Sequence, residues 1–439
     1  MDNPEFTSQN EESGAPVDAT QCADANSDDF VLANLKRNYT AHFLDGMLSF
    51  TGFRLIATPT FIPAYLFLMT GSETLVGVGS SLLQIGVMLS PILVAATLEH
   101  RRYVLPTAVR IGWFMRFMIL ALALAGWFLN GFAAIVATFA VLFLLGIGTG
   151  GQRVSFHLLL SKVIPIRRRG RLQGWRNFCG GLIAAALSYF AGAWLIDSNF
   201  MGNGYASMFL VTFILSSLGL IGISLIMREP EQAVDHKPPV PTARIARFSR
   251  YLADRNFRGF LIAQATCTMA RAAAPFYILF AGQTLGLDGK TIGSLALCLM
   301  AADTLANLLW GRIGDRTGYR LTFMLAVLCW ITSTMVLIYA LDAIWFYVAF
   351  AGIGASLSGF IMSQQTMVLE FGTRADVAMR LGLTNTLDGV FAAIGPVLGG
   401  LLASHYGFTP LFAVSIALLF ATLISLFRIR DPRSVQEGD

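Results

Sequence analysis

The stretch FTGFRLIATPTFIPAYLF, residues 50–67, is an apolar run that carries one charge, Arg54. A helix needs about 20 residues to cross a hydrocarbon core of about 30 Å. With its flanks this run reaches that length, over residues 43–69. A charge near the middle of such a helix costs about 2.5–3.5 kcal/mol on insertion scales, so it calls for a partner, a cavity or a function.

Around that stretch the whole chain has the same character. Of 439 residues, 55% are hydrophobic and 13% charged, with a mean hydropathy of +0.63. This excludes an ordinary water-soluble domain and indicates a polytopic membrane protein. Further apolar runs cover 75–97, 104–128, 132–160, 173–196 and 206–227 in the first half. The second half has 259–284, 291–313, 321–341, 343–368, 381–404 and 408–427. None alternates with period two as barrel strands do. The expected fold is an all-α membrane protein of twelve transmembrane helices in two six-helix bundles.

Charge orders the connections. Residues 1–35 hold eight acids and no Lys or Arg, the composition of a disordered acidic tail and not of a signal peptide. Beyond the tail, basic residues gather in alternate connections: Lys36 and Arg37, Arg101 and Arg102, Arg167 to Arg171, the stretch 228–258, Arg312 to Arg320, Arg374 and Arg380, and Arg428 to Arg433. The other connections contain only Lys290. By the positive-inside rule both termini are cytoplasmic, and the expected location is a bacterial inner (plasma) membrane. Basic charge divided among short loops does not form a nucleic-acid surface. The five cysteines lack CxxC or metal spacing, and no catalytic fingerprint stands in a suitable context, so neither an enzyme nor a cofactor or metal is expected.

The expected organisation is an acidic cytoplasmic tail over 1–35, a first six-helix bundle over 36–227, and a cytoplasmic linker over 228–256. A second bundle over 257–428 and a tail over 429–439 follow. Within the linker, ARIARFSRYLADRNF reads as a basic interfacial helix. The halves also resemble each other. Gly174, Asn177, Gly181, Ala184 and Ala185 of the fifth span repeat at one constant offset as Gly382, Asn385, Gly389, Ala392 and Ala393 of the eleventh. Such order indicates parallel repeats about an axis along the membrane normal.

GRIGDRTGYR, residues 311–320, resembles the Gly-x-x-x-Asp-Arg-x-Gly-x-Arg loop of the major facilitator superfamily. The resemblance implies a gating loop made of Gly311, Asp315, Arg316, Gly318 and Arg320. Members usually carry the better copy in the first half, whereas TLEHRRYVLP (97–106) is degenerate here, with Glu99 in place of the acid and no glycine. The superfamily's helix-four arginine is also replaced, by Leu142 ahead of Gly146, Gly148 and Gly150. From the residues alone, Asp315 can cap the ninth span, Arg316 and Arg320 can hold helix ends or lipid phosphate, and Gly311 and Gly318 permit close backbone approach.

Counted from the helix ends, Arg54, Arg116, Arg271 and Asp303 lie near the midplane. Arg54 and Arg271 occupy matching places in the first helix of each half, and each precedes prolines: Pro59 and Pro63, and Pro275. Two guanidinium forks suit a carboxylate or phosphate. The placement looks like that in the superfamily's organophosphate:phosphate antiporters, a likeness confined to these two residues. Arg54, Arg271, Arg116, Gln264 and Gln84 are therefore the candidate substrate-binding residues, and Asp303, Asp45 and Asp388 the candidates for proton coupling. The competing structural reading pairs Arg271 with Asp303. Arg153 and His157 are assigned to the inner vestibule without a role.

The function expected is secondary active transport of a small organic or phosphorylated anion by alternating access, with a proton or counter-ion as drive, in a monomer contacting membrane lipid. The alternatives are proton-driven export of amphipathic compounds, and a transporter-like receptor or scaffold without transport.

Overall fold

The computed structural model describes residues 29–98, 102–231, 251, 253–371 and 376–429. The acidic tail to residue 28, Glu99, most of the expected interfacial helix and the chain from residue 430 lie outside the described residues. Among the described residues the structure is helical, without a strand.

Span one comprises Leu35–Asp45, a π turn Gly46–Phe50, Thr51–Ala57 and Phe61–Thr70. Spans two to six are Glu73–Leu98, Leu105–Phe128, Gly131–Val163, Ile166–Phe190 with a π turn Ala191–Ile196, and Gly204–Ile226. Arg255–Ala270, a 3-10 turn Arg271–Ala273 and Ala274–Leu285 make span seven. Spans eight to twelve are Gly289–Thr317, Tyr319–Ile338, Ala343–Met367, Val377–Tyr406 and Phe408–Arg428. Ten helices are each long and apolar enough to cross a membrane, and the two parts of span one, bent by 42°, supply an eleventh. The interrupted span seven takes the twelfth place. The outer surface is lipid-compatible: Phe128, Phe132 and Leu225 are 76%, 80% and 69% exposed, a display of apolar area that water disfavours.

Several helices run past their expected apolar limits. Span five starts at Ile166 instead of residue 173, and span eleven at Val377 instead of 381, because backbone hydrogen bonding continues into the arginine-bearing ends. Span one instead breaks inside its apolar run. Thr58, ahead of Pro59, is extended (φ −70°, ψ 138°), as steric conflict with the proline ring requires.

The two halves use the same neighbours. Spans two and four, three and four, three and six, one and six, and one and five pack in the first half. Their counterparts eight and ten, nine and ten, nine and twelve, seven and twelve, and seven and eleven pack in the second. Each last span has its C-terminal carbonyls covered by an arginine. Arg37 donates to the carbonyls of Leu225 and Ile226, and Arg320 to those of Leu426 (2.9 Å) and Phe427 (3.2 Å). Cations there answer the negative end of the helix dipole. The expected linker begins with an anchored residue: Glu229 accepts from the backbone N–H groups of Val104 and Leu105, both at 2.7 Å, and from Lys162 Nζ at 2.9 Å.

Between the halves, span five packs on span eight, span two on span eleven, and span one on span seven. The tightest approaches lie away from the termini. A Cβ on Gly192 would collide with the carbonyl oxygen of Gly289, and one on Gly77 with that of Pro396. Nearby, Asp197 accepts from the N–H groups of Gly289 and Lys290, and Thr74 Oγ1 donates to Ser404 Oγ at 2.9 Å. On the side of the termini, the main packing of span four among the described residues is within the first half, and it presents Arg153 and His157 as exposed side chains. These close contacts between the halves therefore lie toward the far side, while span four leaves Arg153 and His157 open on the side of the termini.

Candidate functional site

The breaks in spans one and seven place the two arginines. The Arg54 carbonyl accepts from the N–H (3.1 Å) and hydroxyl (2.6 Å) of Thr58, so Arg54 stands in the last turn before the break. Arg271 opens the 3-10 turn that precedes Pro275. In both spans a proline with no N–H to give interrupts the helix about one turn beyond the arginine.

Arg54 Nη2 pairs with Asp303 of span eight, which joins the two halves. Both side chains are mostly buried, 18% and 16% exposed. Phe50 lies under the guanidinium, 5.4 Å from its centre. Gly181 gives the pair its room, since a Cβ there would meet Thr304 and sit 3.1 Å from Arg54 Nη1. Arg271 pairs instead within its own half, with Asp388 of span eleven at 3.7 Å. Asp388 also accepts the Thr268 hydroxyl at 2.5 Å, and the Phe360 ring lies 5.7 Å from the Arg271 guanidinium. The reading that pairs Arg271 with Asp303 is thus not the arrangement seen. Depth along a helix is countable from sequence, but the direction in which a side chain points is not.

The other candidates separate by surroundings. Arg116 is 1% exposed and donates to the Ser216 carbonyl (2.7 Å), the Gly112 carbonyl (2.8 Å) and Ser49 Oγ (2.8 Å), all within the first half. Its donors are held by fixed protein acceptors and do not face the space between the halves. Gln264 is fully buried and donates to the Thr384 carbonyl at 3.1 Å, tying span seven to span eleven. Gln84 is half-buried in span two. Asp45 is buried too, and accepts from Arg176 Nη2 at 3.3 Å.

Arg176 is a residue that sequence reasoning passed over. It belongs to RLQGWRN, next to the basic cluster that fixes topology, and the repeat aligns it with Thr384, so symmetry gives no signal. In the structure it lies between the rings of Phe50 (5.6 Å) and Phe156 (4.2 Å). It covers Gly46 at the start of the π turn, where a Cβ would strike its side chain.

In the loop between spans eight and nine, Gly318 takes φ +89°, a conformation that L side chains rarely adopt. Tyr319 donates its hydroxyl to Asp315 at 2.9 Å, and Arg320 holds the end of span twelve as described above. Arg316 is exposed. At Gly311 an added Cβ would meet nothing nearer than Met362, 4.0 Å away, so close approach does not account for that glycine. Gly314 is the tight position, with the Tyr319 ring 2.5 Å from an added Cβ.

Residues 259–439 match the family model described as Major Facilitator Superfamily. Nearly the whole chain superposes on solved transporters. A D-xylose-proton symporter aligns with a TM-score of 0.68 at 14% identity, over 91% of this chain and 99% of that one. The nucleoside transporter NupG aligns with a TM-score of 0.63 at 13% identity, over 90% and 97%. By sequence the second half of the chain is similar to the major facilitator superfamily, and the chain as a whole shares the fold of these transporters. Among curated relatives, the multidrug resistance protein MdtG of Salmonella choleraesuis is 29% identical over 163 residues, 36% of this chain and 40% of the relative. MdtG of Yersinia enterocolitica is 28% identical over 178 residues, 39% and 42%. The chain thus matches about two fifths of the length of these relatives. The protein is an integral, multi-pass membrane protein with the fold expected from its sequence.

Proposed function

We propose that this protein is a secondary transporter that moves a small organic or phosphorylated anion by alternating access, with Asp303 as the proton-coupling carboxylate. The observation that carries this reading is the Arg54–Asp303 ion pair between the halves. Two charges at that depth are tolerated because each answers the other. A proton on Asp303 removes its charge and leaves Arg54 in need of an anion, which the substrate supplies. Proton and anion therefore bind together and travel in the same direction, so the coupling is symport. Arg271 faces the same region from the other repeat and is the second candidate for the anion. Residues 36–227 and 257–428 act as the two rocking bodies, joined by 228–256. The gate at the terminus side includes Asp315, Gly318 and Arg320.

The clustering of arginine at one face supports a cytoplasmic location for both termini, in a bacterial inner (plasma) membrane. We take the working unit to be a monomer. The relatives named for multidrug resistance support a second reading, export of amphipathic compounds. In that reading a cationic compound competes with the proton for Asp303 and moves against it.

Proteoliposomes holding a pH-sensitive dye separate the two. Addition of benzoate, phenylphosphonate or glycerol phosphate acidifies the lumen under the symport reading, for whichever anion is carried. Proton movement opposite to a cationic compound, with no anion-driven signal, supports the exporter. Absence of any flux supports a receptor or scaffold.

A further inference from the structure

Among the described residues, three arginines of the inner helices are answered by carboxylates, and one that faces solvent is not. Arg54 is answered by Asp303, Arg271 by Asp388 and Arg176 by Asp45. Arg153 of span four, among the described residues, has no carboxylate within ion-pair distance and donates no hydrogen bond. It is solvent-exposed, yet the charges of Asp388 and Arg271 act on it from the opposite half. Arg153 stands ten residues before Val163, the terminus-side end of span four, and Asp388 eleven residues after Val377, the terminus-side start of span eleven. At about 1.5 Å per residue, both lie about 15 Å inside the helix ends. Two guanidinium groups, one from each half, thus stand at about the same depth, and Asp388 is paired with only one of them, Arg271.

We infer that Arg153 and Arg271 form an anion-binding subsite in the terminus-side vestibule, which takes the carboxylate or phosphoryl group of a singly charged organic anion. The arrangement lacks one negative charge. Asp388 already accepts the Thr268 hydroxyl and stays with Arg271, so the missing charge belongs to the ligand. The forked donors of both arginines fit a planar or tetrahedral oxyanion. His157, one turn further along span four and also exposed, lines the same approach. This subsite rests on the transporter reading only for its use in transport. It differs from the Arg54 position in being available without a proton on Asp303.

The test is thermal unfolding of the full chain in detergent at constant ionic strength and alkaline pH. Chloride is replaced by benzoate, phenylphosphonate or inorganic phosphate, with benzyl alcohol as the neutral probe. At least one anion raises the midpoint of the natural protein and benzyl alcohol does not. Arg153→Gln weakens the apparent affinity by about tenfold or more, the loss expected for a charged hydrogen bond. Arg153→Lys keeps part of the effect. Arg168→Gln, at an exposed arginine of the same face, leaves it unchanged. Equal shifts in the natural protein and Arg153→Gln, or no anion effect in either, overturn the subsite. Flux measured on the same proteins keeps the two proposals apart. Binding that depends on Arg153 without any flux sinks the transport reading alone, and normal flux and binding in Arg153→Gln sink the subsite alone.

Discussion

Arg54 of span one and Asp303 of span eight form an ion pair that ties the first half of the molecule to the second. Asp388 holds Arg271 within the second half, so the two symmetry-related arginines have unequal partners. Under the proposed alternating access, one pair must open or change its charge when the halves rock, and the other can travel intact. This inequality is the basis for assigning the proton to Asp303 and not to Asp388.

The far side is closed by contacts that alternating access has to release. Thr74 and Ser404 meet across spans two and eleven at 2.9 Å. In a background with Cys22, Cys179, Cys267, Cys298 and Cys329 replaced, Thr74→Cys with Ser404→Cys joined by a short bifunctional thiol reagent is expected to stop flux. A reducible linker should restore it on cleavage. Full transport in the cross-linked protein would show that this contact never opens.

Arg116 is expected to carry stability and not binding. Three fixed acceptors surround it, and Arg116→Gln leaves some of them unpaired in a buried site at a cost of about 1–3 kcal/mol. A lower unfolding midpoint with an unchanged apparent substrate affinity is the expected result. The opposite pattern would return Arg116 to the substrate site.

Glu229 closes the terminus-side face of the first half. It caps the start of span three and pairs with Lys162, while its side chain is 2% exposed. Removing a buried charged acceptor leaves two N–H groups and an ammonium unanswered, so Glu229→Ala should cost about 2–4 kcal/mol. Denaturant or thermal unfolding checks this. A change below about 0.5 kcal/mol, the range of ordinary surface substitutions, would place residue 229 with the linker after all.

Sequence made the fold legible because crossing hydrocarbon demands long apolar runs, and these are countable. The proline breaks were legible for a similar reason. Pro59 forbids a helical Thr58, and Pro275 lacks the N–H that an uninterrupted helix would use. The depth of Arg54, Arg116, Arg271 and Asp303 could also be counted. Facing could not, since turning a helix by one residue swings a side chain through about 100°. Hence Arg116, at the same depth as the others, lies inside the first half, and Asp303 meets Arg54. Arg176 and Glu229 escaped notice because their roles come from contacts with residues far along the chain: Asp45 in one case, Val104 and Leu105 in the other.

The most direct measurement compares the natural protein with Asp303→Asn in proteoliposomes, using an anion that the natural protein accumulates under an imposed pH gradient. With a neutral residue at 303, Arg54 still receives the anion but no proton accompanies it. Exchange of labelled for unlabelled anion should continue, and pH-driven accumulation should disappear. Accumulation by Asp303→Asn equal to that of the natural protein would contradict the account.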